Sequence, residues 1–272
     1  MKSILCPTDF KEAGNNGIEY AAQLAQSLSA SLTITHVRPS IWPEAIQLKK
    51  EERASTESIS GMLKRMAEET HATFHIPCHF HLEATSQTIE QAIATMANQY
   101  DLLVLGTNGA DDYYQLLFGS NAFHVIEKAK CPVIVVPQGY AYSPLRSMVY
   151  AYDPDTNPIF LIDQLKKLVN PLGTVVRVLH IAEDKPSTET DRKMTIMKEA
   201  IAARTPKSMF WSFDFQYAED VAWGLDHYMK THGGNILALS FHHRSLLTKL
   251  FTQNVVKQIT MTAEYPLFVF WQ

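Results

Sequence analysis

Short runs of apolar residues alternate along the chain with longer stretches in which apolar residues recur at helical spacing. In the first half, five runs predict β-strands: SILCP (3–7), LTITHV (32–37), ATFHIPCHFHL (72–82), LLVLG (102–106) and PVIVV (132–136). The helical pattern occupies residues 18–30, 44–70, 88–99 and 120–130. This alternation predicts an α/β fold, in which a parallel sheet has helices on both faces. Ligands bind such sheets at the carboxyl ends of the strands, where the strand order reverses.

The same order of segments occurs twice. Four pairs match: 2–10 with 146–154, 32–39 with 175–183, 100–109 with 234–243, and 131–137 with 265–271. The offset is 144 for the first two pairs, which align His36 with His180, and 134 for the last two. A repeat of this length predicts two domains of one fold, residues 1–140 and 145–272, with a short linker near 138–144 that contains Gly, Pro and Ser.

Composition excludes several classes of function. The 272 residues are 46% hydrophobic and 19% charged, so the chain can form packed cores. The 24 basic and 28 acidic residues give a net charge of −4, which argues against nucleic acid or an anionic membrane surface as a partner. No apolar run approaches the roughly 20 residues of a membrane-spanning helix.

Two further observations bear on the cellular location of the protein. The first ten residues have neither a secretory nor a transit-peptide pattern. Cys6, Cys78 and Cys131 have neither the even count of a disulfide framework nor the paired spacing of a zinc site. We therefore expect a cytoplasmic location.

A glycine-containing loop follows the fourth predicted strand. Gly106 and Gly109 are separated by two residues, and nine more precede Gly119 and Ser120, at the predicted start of a helix. Glycine allows a backbone to approach a ligand closely, and a Gly-Ser step at a helix N-terminus presents N–H groups to phosphate oxygens. Taken alone, the spacing of the glycines favours ordinary turns at strand ends.

Together with the other strand ends, this loop carries a family resemblance. The segments ILCPTDF, LTITHV, GTNG, GSNA and CPVIVVP resemble a universal stress protein domain of the nucleotide-binding type. The resemblance covers residues 1–140 closely and 145–272 more loosely, as in a tandem-domain member. It implies in each copy a five-stranded parallel open sheet of order 3-2-1-4-5, Rossmann-like and similar to adenine-nucleotide hydrolases. It also implies that the last strands, 132–136 and 266–270, pair as an intramolecular pseudo-dimer.

The resemblance further implies a binding site for ATP with Mg²⁺ in the first domain. By position, Asp9 would meet the adenosine and Val37 the adenine. The glycines of the loop would follow the ribose and phosphates, and the residues of the Gly-Ser step would bind the phosphates. These positions are Gly106 and Gly109 for the loop, and Gly119, Ser120 and Asn121 for the step.

Two departures from the family pattern affect this expectation. Asp111 and Asp112 place negative charge beside the expected phosphates, where it opposes binding unless a cation intervenes. In the second copy, Ser240 replaces Gly106, His243 replaces Gly109, and Thr252 or Gln253 replaces Gly119. We therefore expect ATP to bind in the first domain alone. The second domain is expected to be degenerate, and Asp153 to have a structural role there.

Several residues have simpler interpretations. Asp9 could cap the helix that follows it. On an extended strand, His75, His79 and His81 would share a solvated face at the sheet edge rather than form a metal site. The exposed loop is the simpler interpretation for His242 and His243 as well.

The sequence contains no recognisable nucleophile–base pair and no phosphate-binding loop of the GxxxxGK[ST] type, so we do not expect a dedicated enzyme. The leading hypothesis is a stress-response protein that binds ATP in its N-terminal domain and acts as a nucleotide-dependent sensor or interaction module. One alternative is a nucleotide-independent scaffold whose site has decayed. The other is a slow ATPase. The partners expected are an adenine nucleotide and a protein that the sequence does not identify.

Overall fold

The chain forms two compact units, Met1–Tyr142 and Ser143–Gln272. The computed structural model describes residues 1–40, 48–107, 115–154, 157–183, 188–206, 209–241 and 255–271, with side chains for all of these except 48–57, 115–121 and 241. Within these ranges, no helix is both long and apolar enough to cross a membrane.

Five parallel strands and four helices alternate in the part of the N-terminal unit that the structure describes. In chain order they are β1 (Ser3–Pro7), α1 (Glu12–Leu28), β2 (Ser31–Pro39), α2 (Leu48–Phe74), β3 (Cys78–Thr85), α3 (Ile89–Ala97), β4 (Leu102–Thr107), α4 (Gln115–Lys128) and β5 (Val133–Pro137). The strands are ordered β3-β2-β1-β4-β5, and each neighbouring pair is parallel. This confirms the predicted fold and strand order.

The C-terminal unit repeats this order. Its elements are β6 (Ser147–Ala151), α5 (Pro158–Leu172), β7 (Val175–Ala182), α6 (Thr188–Arg204), β8 (Trp211–Tyr217), α7 (Val221–His232), β9 (Ile236–Phe241), helical residues 255–262 and β10 (Leu267–Trp271). The strands are ordered β8-β7-β6-β9-β10, again with parallel neighbours. Two copies of one open-sheet fold are therefore present, as the repeated segments predict.

Strand registers reproduce the two sequence offsets. β1 pairs Ile4 with Leu102 of β4, and β6 pairs Met148 with Ile236 of β9, so the partners are shifted by 144 and 134. The offset falls by ten between the second and fourth strands of a unit. The helices there differ in length by the same number, because α2 has 27 residues whereas α6 has 17.

The central strands are buried on both faces, which explains why they read as continuous apolar runs. In β1, Ile4, Leu5 and Cys6 have no exposed surface, and β6 repeats this with Met148, Val149 and Tyr150. Alternation of polar and apolar residues is absent because helices cover both sides of a parallel sheet.

The third strand begins later than predicted. Instead of an extended segment over 72–82, α2 continues to Phe74 and β3 starts at Cys78. His75 lies between them with a φ of 54°, so the prediction that it shares a strand face with His79 and His81 is wrong. The helical repeat of α2 continues through Thr70 and His71, and it outweighs the strand preference of the residues that follow. Among the described residues, no group of three His, Cys, Asp or Glu side chains is placed to hold a metal ion.

A side chain at the start of the fourth strand anchors the first strand in each unit. Asp101 Oδ2 accepts hydrogen bonds from the backbone N–H of Lys2 at 2.6 Å and of Ser3 at 3.2 Å. In the C-terminal unit, Asn235 Oδ1 accepts from the N–H groups of Arg146 and Ser147 at 3.0 and 2.9 Å. Both anchors lie at the amino ends of the strands and fix the register of the central pair.

Close packing of α1 against the end of β4 depends on glycine. A Cβ on Gly106 would lie 2.0 Å from the carbonyl oxygen of Ala13, and one on Gly17 would lie 2.9 Å from the backbone nitrogen of Gly106. Real Cβ atoms do not approach backbone atoms so closely, so these positions require hydrogen side chains. The contact brings the N-terminus of α1 next to the carboxyl ends of β1 and β4.

The two anchors predict a difference in acid stability. The backbone N–H of Lys2, followed by that of Ser3, lowers the pKa of Asp101. A carboxylate with a lowered pKa stabilises the fold above its unfolded pKa of about 3.9 and loses this contribution as the pH falls through the folded pKa. Asp101→Asn keeps an acceptor oxygen, as Asn235 does, but does not titrate. Urea unfolding midpoints should therefore fall more steeply below about pH 4 in the wild type than in the variant. Parallel pH curves would contradict this account.

The glycine contact predicts opposite effects of one substitution at two sites. Gly106→Ala should destabilise the protein by about 2 kcal/mol or more, because α1 must move away from β4. Gly61→Ala is the matched control, since Gly61 lies in α2 with no heavy atom within 4 Å of the added Cβ. It should stabilise the protein by about 0.5–1 kcal/mol through helix propensity. Thermal unfolding of both variants checks the signs, and equal losses at the two positions would refute the packing argument.

Candidate functional site

A cavity of about 240 Å³ lies in the N-terminal unit, where the strand order reverses between β1 and β4. The carboxyl ends of β1, β2 and β4 form its floor, and α1, α3 and α4 form its walls. Its lining is mainly apolar with a few polar side chains: Pro7, Thr8, Asp9, Ala13, Gly14, His36, Val37, Ile89, Glu90, Ile93, Leu105, Gly106, Thr107, Ala122 and Val125.

Three of the predicted site residues line this cavity together. Asp9 follows β1, Val37 lies near the end of β2 and Gly106 near the end of β4, so residues 97 positions apart converge on one space. Gly109, Asp111 and Asp112 lie outside the described residues. Gly119, Ser120 and Asn121 lie in α4, where the structure describes the backbone and not their side chains.

The predicted start of α4 is wrong. The helix covers Gln115–Lys128, so Gly119 is its fifth residue and Ser120 does not open it. Gln115, Leu116 and Leu117 are strong helix formers that continue the repeat toward the N-terminus, and one interior glycine costs only about 1 kcal/mol. Only the first four N–H groups of a helix lack an intrahelical acceptor. In this structure those groups precede Gly119.

The loop after β1 is built from local hydrogen bonds. The N–H of Thr8 donates to Thr35 O at 2.8 Å, and the N–H of Phe10 donates to Thr8 Oγ1 at 3.0 Å. The N–H of Lys11 donates to Asp9 Oδ1 at 3.0 Å, whereas Lys11, the N-cap of α1, makes no side-chain capping bond. Asp9 thus stabilises the turn before the helix rather than capping it. Its carboxylate stays 46% exposed, 4.0 Å from the Lys11 ammonium.

His36 anchors this loop to β2. Its Nδ1–H donates to the carbonyl oxygen of Thr8 at 2.8 Å, since a carbonyl can only accept, and its ring lies 4.8 Å from that of Phe10. Phe10 has a φ of 64°, an uncommon conformation for a residue with a side chain. The ring contact and the hydrogen bond together hold Asp9 at the mouth of the cavity.

Sequence reasoning aligned His36 with His180 but gave neither a role. In the C-terminal unit, His180 Nδ1–H donates to the carbonyl oxygen of Tyr152 at 3.0 Å, which is the same contact at the corresponding position. The sequence signal for this contact is the repeated histidine, because His36 follows Asp9 at the same sequence spacing as His180 follows Asp153. Gly14 and Gly17 were missed as well, because helix interiors give no local sign of a close tertiary approach.

The His36 contact predicts the dynamics of the loop. His36→Leu removes the donor, so hydrogen exchange of the amides of residues 8–11 should quicken by about fivefold, the equivalent of a lost hydrogen bond of about 1 kcal/mol. His36→Asn should restore most of the protection, because its side-chain NH₂ takes the place of Nδ1. His180→Leu is the matched control in the other unit and should leave residues 8–11 unchanged. Equal exchange in His36→Leu and His36→Asn would show that ring packing alone holds the loop.

Comparisons with known proteins agree with this architecture. The model of the universal stress protein family matches residues 1–137. The universal stress protein MJ0531 of Methanocaldococcus jannaschii is 30% identical over 145 residues, which are 50% of this chain and 81% of that protein.

Two solved structures match both units. A universal stress protein from Archaeoglobus fulgidus has a TM-score of 0.79 at 16% identity and covers 99% of this chain and 98% of its own. The protein PA1789 of Pseudomonas aeruginosa has a TM-score of 0.60 at 11% identity and covers 100% and 92%. At these identities the structures show a shared fold. The family match over half of the chain, with the Methanocaldococcus relative, shows that this protein belongs to the universal stress protein family.

Proposed function

We propose that the N-terminal unit binds ATP with Mg²⁺ and acts in the stress response as a nucleotide-dependent sensor or interaction module. The observation that carries the proposal is the convergence of Asp9, Val37 and Gly106 on one cavity at the reversal of strand order. Open α/β sheets bind their ligands at this place. The proposed setting is the cytoplasm, which agrees with three free cysteines.

The cavity fits the nucleoside part of this ligand. Its volume of about 240 Å³ is below the roughly 300–1,000 Å³ of pockets that enclose a whole drug-sized molecule. Val37 and Leu105 offer apolar walls to a base, while Asp9 offers a carboxylate to ribose hydroxyls or base amino groups. The phosphates would extend past Gly106 toward the backbone that follows β4, as the family resemblance implies.

Charge around the cavity makes a cation part of the proposal. Asp9 and Glu90 line it, and no Lys or Arg side chain does among the residues that the structure describes. The N-terminus of α1 gives partial compensation, because Ala13 and Gly14 line the cavity and the N-cap residue Lys11 makes no side-chain capping bond. Bound Mg²⁺ would neutralise phosphate charge, and it is usually held by phosphate oxygens and water with one or two carboxylates.

This function requires binding and no catalysis. Asp9, positioned through its loop by His36, would orient the nucleoside, and occupancy would alter which protein the unit contacts. The pairing of β5 with β10 as a pseudo-dimer stays a prediction.

Calorimetry with Mg-ATP on nucleotide-stripped protein tests the proposal. Ile89 is 41% exposed in the first turn of α3 and lines the cavity, so Ile89→Trp should fill the space without disturbing the core. The matched control is Ile159→Trp, in the first turn of α5, where Ile159 is 45% exposed and lines neither this cavity nor the corresponding one. We expect one ATP site per chain, lost in Ile89→Trp and kept in Ile159→Trp.

The other hypotheses give different results in the same experiment. No heat and no thermal stabilisation at millimolar ATP would favour a nucleotide-independent scaffold. ATP binding that Ile89→Trp leaves unchanged would place the site elsewhere. Phosphate release faster than that of an Asp9→Ala variant would favour a slow ATPase.

A further inference from the structure

A second cavity lies in the C-terminal unit, at the place that corresponds to the first. It has a volume of about 610 Å³ and lies at the carboxyl ends of β6, β7 and β9, beside α7 and helical residues 255–262. Asp153, Ile181 and Ser240 line it, and by the two offsets they correspond to Asp9, Val37 and Gly106. Loss of the glycine pattern has therefore not closed the site in this unit.

The lining of this cavity is held in place by specific contacts. The loop after β6 is anchored by His180 to the carbonyl oxygen of Tyr152, whose N–H donates to Leu179 O at 2.7 Å. Ser240 is 5% exposed, and its hydroxyl lies 3.0 Å from that of Tyr150. These contacts give the cavity a fixed floor. Its volume lies within the roughly 300–1,000 Å³ of small-molecule pockets.

The helix ends around this cavity differ from those in the N-terminal unit. Ala13 and Gly14 bring the N-terminus of α1, where Lys11 makes no side-chain capping bond, to the first cavity. In the C-terminal unit, no residue of α5 lines the cavity, and the side chain of Asn157 accepts two of the N–H groups of that helix. Asp220 caps α7. Compared with α1 at the first cavity, α5 therefore brings no N–H donor to the second, and Asp220 Oδ1 accepts a hydrogen bond from an N–H of α7.

Charged side chains on this cavity favour the opposite sign of ligand. Asp153, Glu183 and Asp220 line it, and no Lys or Arg side chain does in the part of the chain that the structure describes. The remaining wall is largely apolar and includes Leu225 and Leu239. A ligand that satisfies both surfaces has a positive group for the carboxylates and an apolar body for the wall.

We propose that the C-terminal unit binds a small organic cation with an apolar body, such as an arylalkylamine. The ammonium group lies among the carboxylates of Asp153, Glu183 and Asp220, and the body packs against Leu225 and Leu239. This site is separate from the ATP site and does not depend on it.

The test uses the full chain and three probes: 2-phenylethylamine, 3-phenylpropionate, which has a similar body with the opposite charge, and Mg-ATP. Calorimetry should show binding of the amine and none of the carboxylate. Val221 lines the cavity at the start of α7, so Val221→Trp should abolish amine binding and leave ATP binding in place. Ile89→Trp should do the reverse, which makes each variant the control for the other.

Charge variants test the site without filling it. Glu183→Gln combined with Asp220→Asn removes two charges while Asn keeps a capping oxygen, and it should weaken amine binding by about tenfold. Glu219→Gln is the matched control, because Glu219 is exposed and does not line the cavity. The proposal is overturned if the amine does not bind at millimolar concentration or if Val221→Trp leaves its binding intact. It is also overturned if 3-phenylpropionate binds, or if ATP binds at a second site, and Val221→Trp abolishes that binding.

Discussion

The short pairing between the first and fourth strands of each unit is the constraint on which the site depends. β1 pairs with β4 at Ile4 and Leu5, near the amino end of the sheet, whereas β1 pairs with β2 along its whole length. Because the chain turns to opposite sides after β1 and β4, a gap opens between the carboxyl ends of the two strands. Burial of their apolar residues holds β1 and β4 together on the amino-terminal side of this gap, and the gap itself forms the cavity.

Both units contain this pairing, over two residue pairs in the N-terminal unit and three in the C-terminal one, and the residues at the rims add further differences between the cavities. The segment between the first and second strands has the same length in both units. Its helix, α1 or α5, ends with a C-cap residue in the left-handed conformation, Ser29 or Gly173. By the same offset, Gly14 and Gly17 correspond to Pro158 and Leu161. Proline and leucine cannot reproduce the close approach of α1 to Gly106. The second cavity, where this close packing is lost, has the larger volume.

Much of the fold could be predicted because its signals are local. Continuous apolar runs marked the buried strands, and the two offsets predicted a duplication that the strand registers reproduce. Boundaries were less predictable where two local preferences compete: helical repeats extended α2 past Thr70 and started α4 before Ser120.

Within the candidate site, Asp9, Val37 and Gly106 could be chosen from family resemblance, since each lies near or just after the end of a strand. The roles of His36, Gly14 and Gly17 could not. Each depends on a distance between segments far apart in the chain, and no single-segment pattern encodes such a distance. The second cavity was missed for the same reason, because its presence follows from packing rather than from a glycine motif.

The anchors of the sheet explain how one scaffold can present different chemistry in its two copies. At the amino ends, Asp101 and Asn235 bond to backbone N–H groups, and at the carboxyl ends, His36 and His180 bond to backbone carbonyl oxygens. Each of these four bonds goes to a main-chain atom of the residue that is held, although the Ser3 hydroxyl also donates to Asp101 Oδ2 at 3.4 Å. The held residue at the cavity is therefore threonine in one unit and tyrosine in the other, while the backbone bond is the same. Since these four bonds go to main-chain atoms, the residues that they hold can differ between the units without a change in the register of the strands.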